Sequence, residues 1–273
     1  MMSSFHKPTI VSALLMAAGF GILTLVAERS PAADNYSDRD WNTSFFANCR
    51  LPSDLQETDR SPSVETIRIA GDNKLRFVLN PNDMGGCRSD SKRRDGAPYW
   101  ERAELRQSEN LIVGEKYSID FTANFDEGFT GQRETFFQIH GWSKTCDAAP
   151  MMMMQFGWRN MKIKVQKPSA NDDSPNARGR QALMIASGPA ISKLRGTEHK
   201  FRIALDLTDP ATVAVAMDGV PIMAQTPVHF PACAEPHLKI GIYRPGKINP
   251  ATSVVTYDDI VVDRLQDPNS LSN

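Results

Sequence analysis

Short segments in which polar and apolar residues alternate recur along this chain, and this pattern constrains the fold more than any other feature of the sequence. Val64 to Gly71 and Lys74 to Asn80 alternate on either side of a turn at Gly71-Asp72-Asn73. A period of two is typical of a β-strand with one buried face. The same strand character is found in Lys116 to Phe125, Lys200 to Leu207, Ala211 to Met223 and Thr252 to Leu265.

Turn signals separate these segments. Asp218-Gly219 is a strong two-residue hairpin signal, and turn-rich loops are predicted at Asn80 to Pro98 and at Ser169 to Arg180. No long segment outside the N-terminal residues has the 3.6-residue period of an amphipathic helix. The predicted fold class is therefore all-β, a two-sheet antiparallel sandwich or β-jelly roll.

The first residues have the pattern of a secretory signal peptide. A short segment ending in Lys7 precedes the apolar stretch Ile10 to Ala27, and small residues follow at Ser30 and Ala32. We predict a signal peptide over residues 1–33 and one domain over residues 34–273. An uncleaved membrane anchor is the alternative, because the apolar stretch is long enough to span a bilayer. After cleavage we expect a secreted protein, periplasmic or extracellular, without membrane contact.

The charge balance argues against a nucleic-acid partner. The chain carries 31 Lys and Arg residues and 32 Asp and Glu residues, which gives a formal net charge of -1 at pH 7. A generic nucleic-acid-binding domain is basic. The predicted domain is long enough to bury its own core, and we expect it to act as a monomer.

Four cysteines remain after the signal peptide, and an even number in an oxidising compartment predicts two disulfides. Cys146 follows the segment that contains His140, and Cys233 precedes the segment that contains Tyr243. If those segments form neighbouring antiparallel strands, these two cysteines meet at one end. The predicted pairs are Cys146–Cys233 and Cys49–Cys87.

The segment WERAELRQ, from Trp100 to Gln107, predicts a strand with one charged face. Arg102, Glu104 and Arg106 fall on that face because every second residue of a strand points the same way. The residues between them are apolar, so the other face is expected to enter the core. A surface charge ladder is the alternative interpretation.

The segment FFQIHGW, from Phe136 to Trp142, predicts a second strand with polar residues on one face. Phe136, Gln138 and His140 are predicted to share one face of a strand, surrounded by apolar and aromatic residues. The two polar groups are either a satisfied pair or part of a site. A third segment, HLKIGIYRPG, places Lys239 and Tyr243 on one face, opposite inward leucine and isoleucine residues. Three such polar faces in one β domain favour a shared site.

These three segments resemble the signature strands of the alginate lyases of polysaccharide lyase family 7. In that family the three strands have the motifs R-x-E-L-R, Q-I/V-H and Y-F-K-A-G-x-Y-x-Q. This chain has RAELR, QIH and KIGIY in the same order. The spacing from Lys239 to Tyr243 is also similar to that of the heparin-lyase-type jelly rolls. His237-Leu238 stands where the family has Tyr-Phe, Arg244-Pro245 follows the last tyrosine, and the final Gln is absent. The resemblance implies a concanavalin-like jelly roll.

The resemblance also implies a reaction, the β-elimination of a uronic-acid polymer, with four catalytic residues. The C5 proton is acidic only when the neighbouring carboxylate is neutralised, a task suited to Arg102 and Gln138. His140 is implied as the base for guluronate or iduronate. Tyr243 is implied as the acid, and as both base and acid for mannuronate or glucuronate, whose C5 proton lies on the opposite face. The product carries an unsaturated uronate end.

Substrate binding is expected from the charged neighbours of these four residues. Glu104 is expected to fix the directions of the arginines beside it, and Arg106 and Lys239 to bind carboxylates of neighbouring sugars. A basic wall over Arg88 to Arg94 is a further possibility, with an ordinary solvated loop as the alternative. The expected partner is an anionic polysaccharide, and the mechanism requires no metal and no cofactor.

Two other functions compete with this interpretation. A non-catalytic, lectin-like carbohydrate-binding sandwich would use the same arginine, glutamine and tryptophan residues without cleaving the sugar. A jelly-roll glycoside hydrolase needs two closely spaced carboxylates, and no E-x-D-x-E strand is present. Sequence reasoning leaves open whether the polymer is alginate or glucuronan.

Overall fold

Two antiparallel β-sheets packed face to face contain most of the described residues. The computed structural model describes residues 72–83, 87, 90, 97–146, 148–166, 183–246 and 250–265, together with short strands at 34–35, 45–47, 64–69 and 93–94. Ile10 to Ala27, Cys49 and Ser169 to Arg180 lie outside the described residues. The predicted signal peptide and the domain boundaries therefore stay predictions.

Seventeen strands are present among the described residues. In chain order they are β1 (Asp34–Asn35), β2 (Phe45–Ala47), β3 (Val64–Ile69), β4 (Asp72–Leu79), β5 (Arg93–Arg94), β6 (Ala97–Pro98), β7 (Trp100–Gln107), β8 (Lys116–Phe125), β9 (Thr135–His140), β10 (Met152–Phe156), β11 (Asn160–Gln166), β12 (Leu183–Ala190), β13 (Glu198–Asp206), β14 (Thr212–Met217), β15 (Val220–Pro227), β16 (His237–Pro245) and β17 (Ser253–Leu265). A single 3-10 turn, Ile191–Lys193, follows β12. In the same described part of the chain, no helix is long and apolar enough to cross a membrane.

The strands are arranged in the order of a jelly roll. In the described residues, one sheet has the order β15-β14-β13-β8-β17-β4-β3, with β1 added beside β17. The other has the order β12-β11-β10-β9-β16-β7-β2, and β5 and β6 form a separate ribbon. Every strand pair is antiparallel within this part of the chain. The three strands singled out from the sequence, β7, β16 and β9, are direct neighbours in the second sheet.

Aromatic side chains join the two sheets. Phe121 of β8 stacks on Phe137 of β9 at 5.1 Å between ring centroids, and on Phe201 of β13 at the same distance. Phe125 makes edge-on contacts with Phe136 and Phe156. Such pairs add to the free energy gained by burying the rings. The apolar faces of β4, β8, β13, β14 and β17 thus enter one core.

The predicted hairpin is confirmed. Asp218 and Gly219 connect β14 and β15, and both have positive φ, 51° and 78°. A two-residue turn with positive φ at both positions matches the right-handed twist of the strands it joins. Strands β11 and β12 were not predicted, although Met161, Ile163 and Val165 of β11, which pairs with the edge strand β12, alternate into the core.

One prediction about the face of a strand is wrong. Phe136 was expected beside Gln138 and His140, but its ring is buried in the core between the sheets. The reason is a bulge. Against β10, Phe137 pairs with Met154 while Thr135 pairs with Gln155, so Phe136 has no partner of its own. A bulge turns one side chain to the other face. Thr135 therefore replaces Phe136 beside Gln138 on the outer face of the sheet.

A buried ion cluster holds the C-terminal end of β16. The Arg244 guanidinium is fully buried and donates to Glu101 and Glu134, and its Nη1 also donates to Ser253 at 3.1 Å. These partners come from β7, from the residue before β9 and from β17. Arg244 therefore ties four parts of the fold together next to Tyr243, which gives a structural reason for the arginine in this position.

The predicted disulfide Cys146–Cys233 is confirmed, with a Cα–Cα distance of 5.6 Å. It joins the loop after β9 to the loop before β16, which run antiparallel as expected. Cys87 is also disulfide-bonded, and its predicted partner Cys49 lies outside the described residues.

Gly241 is required by the close packing of β16 on β7. Its φ of +125° is one that residues with side chains rarely adopt. A Cβ atom there would overlap the carbonyl oxygen of Ala103 and lie 2.8 Å from Glu104 Cα and from Phe77 Cδ1. Glycine thus lets Lys239 and Tyr243 stay on one face although the pairing with β9 shifts between them.

We expect Gly241→Ala to lower the free energy of unfolding by at least ~3 kcal/mol, because backbone strain and overpacking add. Gly219→Ala is the matched control, since φ is also positive there but nothing lies within 4 Å of the added Cβ. The control should lose only ~1 kcal/mol. Urea denaturation of both variants measures the difference, and equal losses would show that the packing argument is wrong.

Candidate active site

A groove of ≈ 890 Å³ lies on the outer face of the second sheet. Six of the seven residues predicted for the site line it, and they come from three adjacent strands: Arg102, Arg106, Gln138, His140, Lys239 and Tyr243. The seventh, Glu104, is buried among them and accepts hydrogen bonds from two of them. The side chains that the sequence placed on separate strands therefore come together.

The strand register explains how they meet. Lys239 of β16 pairs with Arg106 on one side and with Gln138 on the other. Four residues further along β16, Tyr243 pairs with Arg102 and with Thr135. Paired residues on neighbouring strands have side chains on the same face. The site is thus two rows of side chains that cross the strands.

Two carboxylates hold Arg102 from below. Asp90 accepts from Nε at 2.9 Å and from Nη2 at 3.1 Å, while Glu104 accepts from Nη1 at 2.6 Å. All three side chains are buried. The guanidinium has five N–H groups in all, so two remain beyond these three contacts, and Tyr243 is a further hydrogen-bond partner on that side. The guanidinium charge is firmly retained, since the two carboxylates raise the pKa of Arg102 despite burial.

Glu104 also fixes Gln138. The amide nitrogen of Gln138 donates to Glu104 Oε1, while Arg102 occupies the other oxygen of the same carboxylate. Glu104 was predicted to orient the arginines beside it, and the structure shows contacts with one of them, Arg102, and with Gln138. Arg102 and Gln138 are thereby held side by side, as neutralising a single substrate carboxylate requires.

Tyr243 lies between Arg102 and Trp100. The Arg102 Cζ atom is 4.1 Å from the centre of the Tyr243 ring, and the Trp100 ring is 4.9 Å from it on a tilted plane. Burial raises the pKa of Tyr243, and the Arg102 charge opposes part of that rise. The phenol therefore stays near a permanent positive charge, which stabilises its ionised form when it reacts.

The tautomer of His140 is set by a backbone contact. The Trp142 N–H donates to Nδ1 at 3.0 Å, so in the neutral ring the proton is on Nε2. Burial lowers the pKa of His140 well below 6.5, and the Lys239 charge lowers it further. His140 is therefore a neutral imidazole that offers an N–H donor to the groove.

His237 is a second imidazole that sequence reasoning missed. It pairs with His140 across β9 and β16, and the two rings stack at 5.8 Å between centroids. Its Nδ1 donates to the Glu235 carbonyl at 2.7 Å. Burial lowers its pKa to about 3. Lys239, on the same strand, likewise has a pKa lowered by burial, to about 8.

Asp90 was also missed, and no period in the sequence could have found it. It lies in the predicted turn-rich loop, where its backbone N–H donates to the Cys87 carbonyl at 2.8 Å. The only available signal was an acidic residue three positions after a cysteine within a basic segment. The side chains from Lys92 to Arg94, the suggested basic wall, lie outside the described residues.

Comparisons with known proteins show which family this chain belongs to. A family model described as "Polysaccharide lyase" matches residues 39–261. The chain belongs to the polysaccharide lyase family. The predicted resemblance to alginate lyases is confirmed, and membership decides for a lyase over the lectin-like alternative and the glycoside hydrolase. In a comparison with curated proteins, no sequence matches this chain.

Solved structures confirm the jelly-roll fold. Family 7 alginate lyase A1-II′ in complex with product is similar with a TM-score of 0.58 and 15% identity, over 85% of this chain and 99% of that one. The endo-β-1,4-glucuronan lyase of the fungus Trichoderma reesei has a TM-score of 0.55 and 11% identity, over 81% and 94%. Alginate lyase PA1167 of Pseudomonas aeruginosa has a TM-score of 0.54 and 18% identity, over 83% and 100%.

We expect His237 to make this lyase less stable in acid. Its pKa in the folded state, about 3, is below the ordinary value of 6.5. Between these two values the unfolded chain binds the extra proton, so stability is lost as the pH falls from 6.5 towards 3. From pH 7 to pH 4.5 the wild type should lose about 2–3 kcal/mol more than His237→Phe. Urea denaturation at both pH values checks this, and equal losses in the two proteins would contradict it.

We expect Asp90→Asn to destabilise the fold by about 3 kcal/mol, because it breaks a buried charge pair beneath Arg102. Asp126→Asn is the matched control: that carboxylate is exposed and accepts only from the Gly128 N–H at 2.9 Å. The control should lose less than about 1 kcal/mol. Thermal and urea unfolding of the two variants compare them, and similar losses would mean that the Asp90 contact contributes little.

Proposed function

We propose that this protein is a secreted lyase that cleaves a uronic-acid polymer by β-elimination and leaves an unsaturated uronate end. The observation that carries the proposal is the convergence of Arg102, Gln138, His140 and Tyr243 in one groove. Family membership supports the lyase activity, and the alginate and glucuronan lyases among similar structures support a polyuronate as substrate. The signal-like N-terminus supports secretion.

The first task is to neutralise the substrate carboxylate. The Arg102 guanidinium and the side chain of Gln138 can bind it together, and the Nε2–H of neutral His140 adds a third donor. Donors aimed at the enolate-like charge that develops at C5 are each worth ~3–4 kcal/mol when they tighten in the transition state. Glu104 and Asp90 keep these donors in place and do not react.

The second task is the proton transfer, and the geometry favours Tyr243 for both halves. His140 Nδ1 is occupied by the Trp142 N–H and Nε2 carries the ring proton, so neither nitrogen is ready to accept the C5 proton. Tyr243 accepts that proton in its ionised form, which burial disfavours and the adjacent Arg102 charge favours, as the C5–H bond breaks. The resulting phenol then donates it to the C4 oxygen as the C4–O bond breaks, and a C4=C5 double bond forms.

This assignment points to a class of sugar. A single group serves as base and acid only when the C5 proton and the C4 oxygen lie on the same side of the ring, as in mannuronate and glucuronate. The proposed substrates are therefore polymannuronate stretches of alginate or glucuronan. Arg106 and Lys239, four residues from Tyr243 along the sheet, are placed to bind carboxylates of neighbouring sugars.

Ultraviolet absorbance of the new double bond tests the reaction. The full chain is incubated separately with polymannuronate, polyguluronate, glucuronan and a heparin-type glycan. We expect absorbance with polymannuronate or glucuronan. No absorbance with any of the four polymers would overturn the proposed function, and cleavage of polyguluronate alone would overturn the assignment of Tyr243 as base.

Two variants then separate the roles in the groove. We expect Tyr243→Phe to lower kcat by ~10²–10⁴ because it removes the proton-transferring group, while binding of the polymer is retained. His140→Gln keeps an N–H donor and should retain more activity than Tyr243→Phe. The comparison uses initial rates and polymer binding for both variants, and the reverse order of activities would show that His140 is the base.

A further inference from the structure

Two cationic side chains that the proposed mechanism does not use, Arg133 and Lys164, line the groove, and Lys162 is close enough for its charge to act on Lys164. Two register rows cross the second sheet, Arg106–Lys239–Gln138–Met153–Lys164 and Arg102–Tyr243–Thr135–Gln155–Lys162. Each row begins with an arginine on β7 and ends with a lysine on β11. Both lysines are on the groove side, because the residues that alternate with them on β11 enter the core.

Hydrogen bonds connect these lysines to the proposed catalytic rows. Lys164 Nζ donates to Gln155 Oε1 at 2.6 Å, and Gln155 Nε2 donates to Thr135 Oγ1 at 3.1 Å. Thr135 is in turn the register partner of Tyr243. Lys164 is thus held in a fixed direction by neutral groups.

Arg133 brings the third charge to the same place. Its backbone N–H donates to the Gly157 carbonyl at 2.7 Å, and its side chain lines the groove beside Gln155 and Lys164. The Lys162 side chain runs past Gly157, with Nζ 3.5 Å from where a Cβ of that glycine would be. The backbone of Arg133 and the side chain of Lys162 are thus both close to Gly157, and the charges of both residues act on Lys164.

No carboxylate balances these charges. In the described part of the chain, Arg133, Lys162 and Lys164 form no ion pair, whereas Arg102, Arg202 and Arg244 all do. The neighbours of the two lysines on β12, Ile185 and Ser187, are uncharged. Burial and the charges of Lys162 and Arg133 lower the pKa of Lys164. A bound anion would relieve this repulsion.

We propose that Arg133, Lys162 and Lys164 form a second carboxylate-binding site, which holds another uronate of the same polymer. This inference rests on the proposed function. Three strand spacings separate Tyr243 on β16 from Lys162 on β11, a distance of ~14 Å. The reacting sugar and the sugar at the second site are therefore different residues of one chain. The enzyme then selects polymers in which acidic sugars follow one another, over polymers in which single uronates alternate with neutral sugars.

The test compares substrates of different length. The double variant Lys162→Gln/Lys164→Gln is assayed by ultraviolet absorbance on the long polymer that the wild type cleaves and on its oligomers, from trimer to octamer. We expect KM for the long polymer to rise about tenfold, as for the loss of partly buried charge pairs. The kcat should be unchanged, and KM for the shortest cleaved oligomer should not rise. Added salt should raise KM less steeply for the variant than for the wild type.

Two controls make the result specific. Lys200→Gln/Arg202→Gln removes the same charge from the exposed face of β13 in the other sheet and should behave as the wild type. Lys162→Arg/Lys164→Arg keeps the charge and should restore the low KM. Equal KM of the glutamine variant and the wild type at every length would overturn the second site alone. An inactive wild type would instead overturn the proposed function on which it rests.

Discussion

The ion network beneath the groove is the interaction on which the rest of the site depends. Arg102 reaches the surface of the sheet only because Asp90 and Glu104 hold it there, from a disulfide-bonded loop and from its own strand. The same Glu104 aligns Gln138. A charge that is buried without partners is costly, so the two carboxylates allow a permanent cation to lie at the floor of the groove. The distribution of charge is therefore layered, with anions below and cations facing the ligand.

Burial has a second consequence for the groups in this layer. The groove contains two imidazoles and a lysine of lowered basicity, and burial is the main cause of both. His140, His237 and Lys239 all have pKa values below their ordinary ones, with burial as the largest cause in each case. Donors that are neutral can be aimed at an anion without drawing protons from water. The fold thus sets the chemistry through solvation as much as through position.

Much of this arrangement could be predicted from the sequence, because alternation reports directly which residues share a face. It placed Arg102, Gln138 and Tyr243 on polar faces, and the order of the motifs suggested that these faces meet. It failed at Phe136, where a bulge reverses one side chain and alternation has no means of showing it. It also missed Asp90, since a loop residue has no period, and Lys164, since register across five strands is fixed only by tertiary pairing. Periodicity gives the face of each strand but not how the strands are aligned.

The ends of β16 are fastened by different kinds of bond. The Cys146–Cys233 disulfide lies just before His237, at the start of β16. The charged Arg244 cluster lies just after Tyr243, at the end of the strand. A chain that folds in a reducing compartment would keep the salt-bridged end and lose the crosslinked one. The groove around His140 and His237 would then become looser, while the part around Tyr243 stays in place. The choice of expression host thereby affects one end of the groove more than the other.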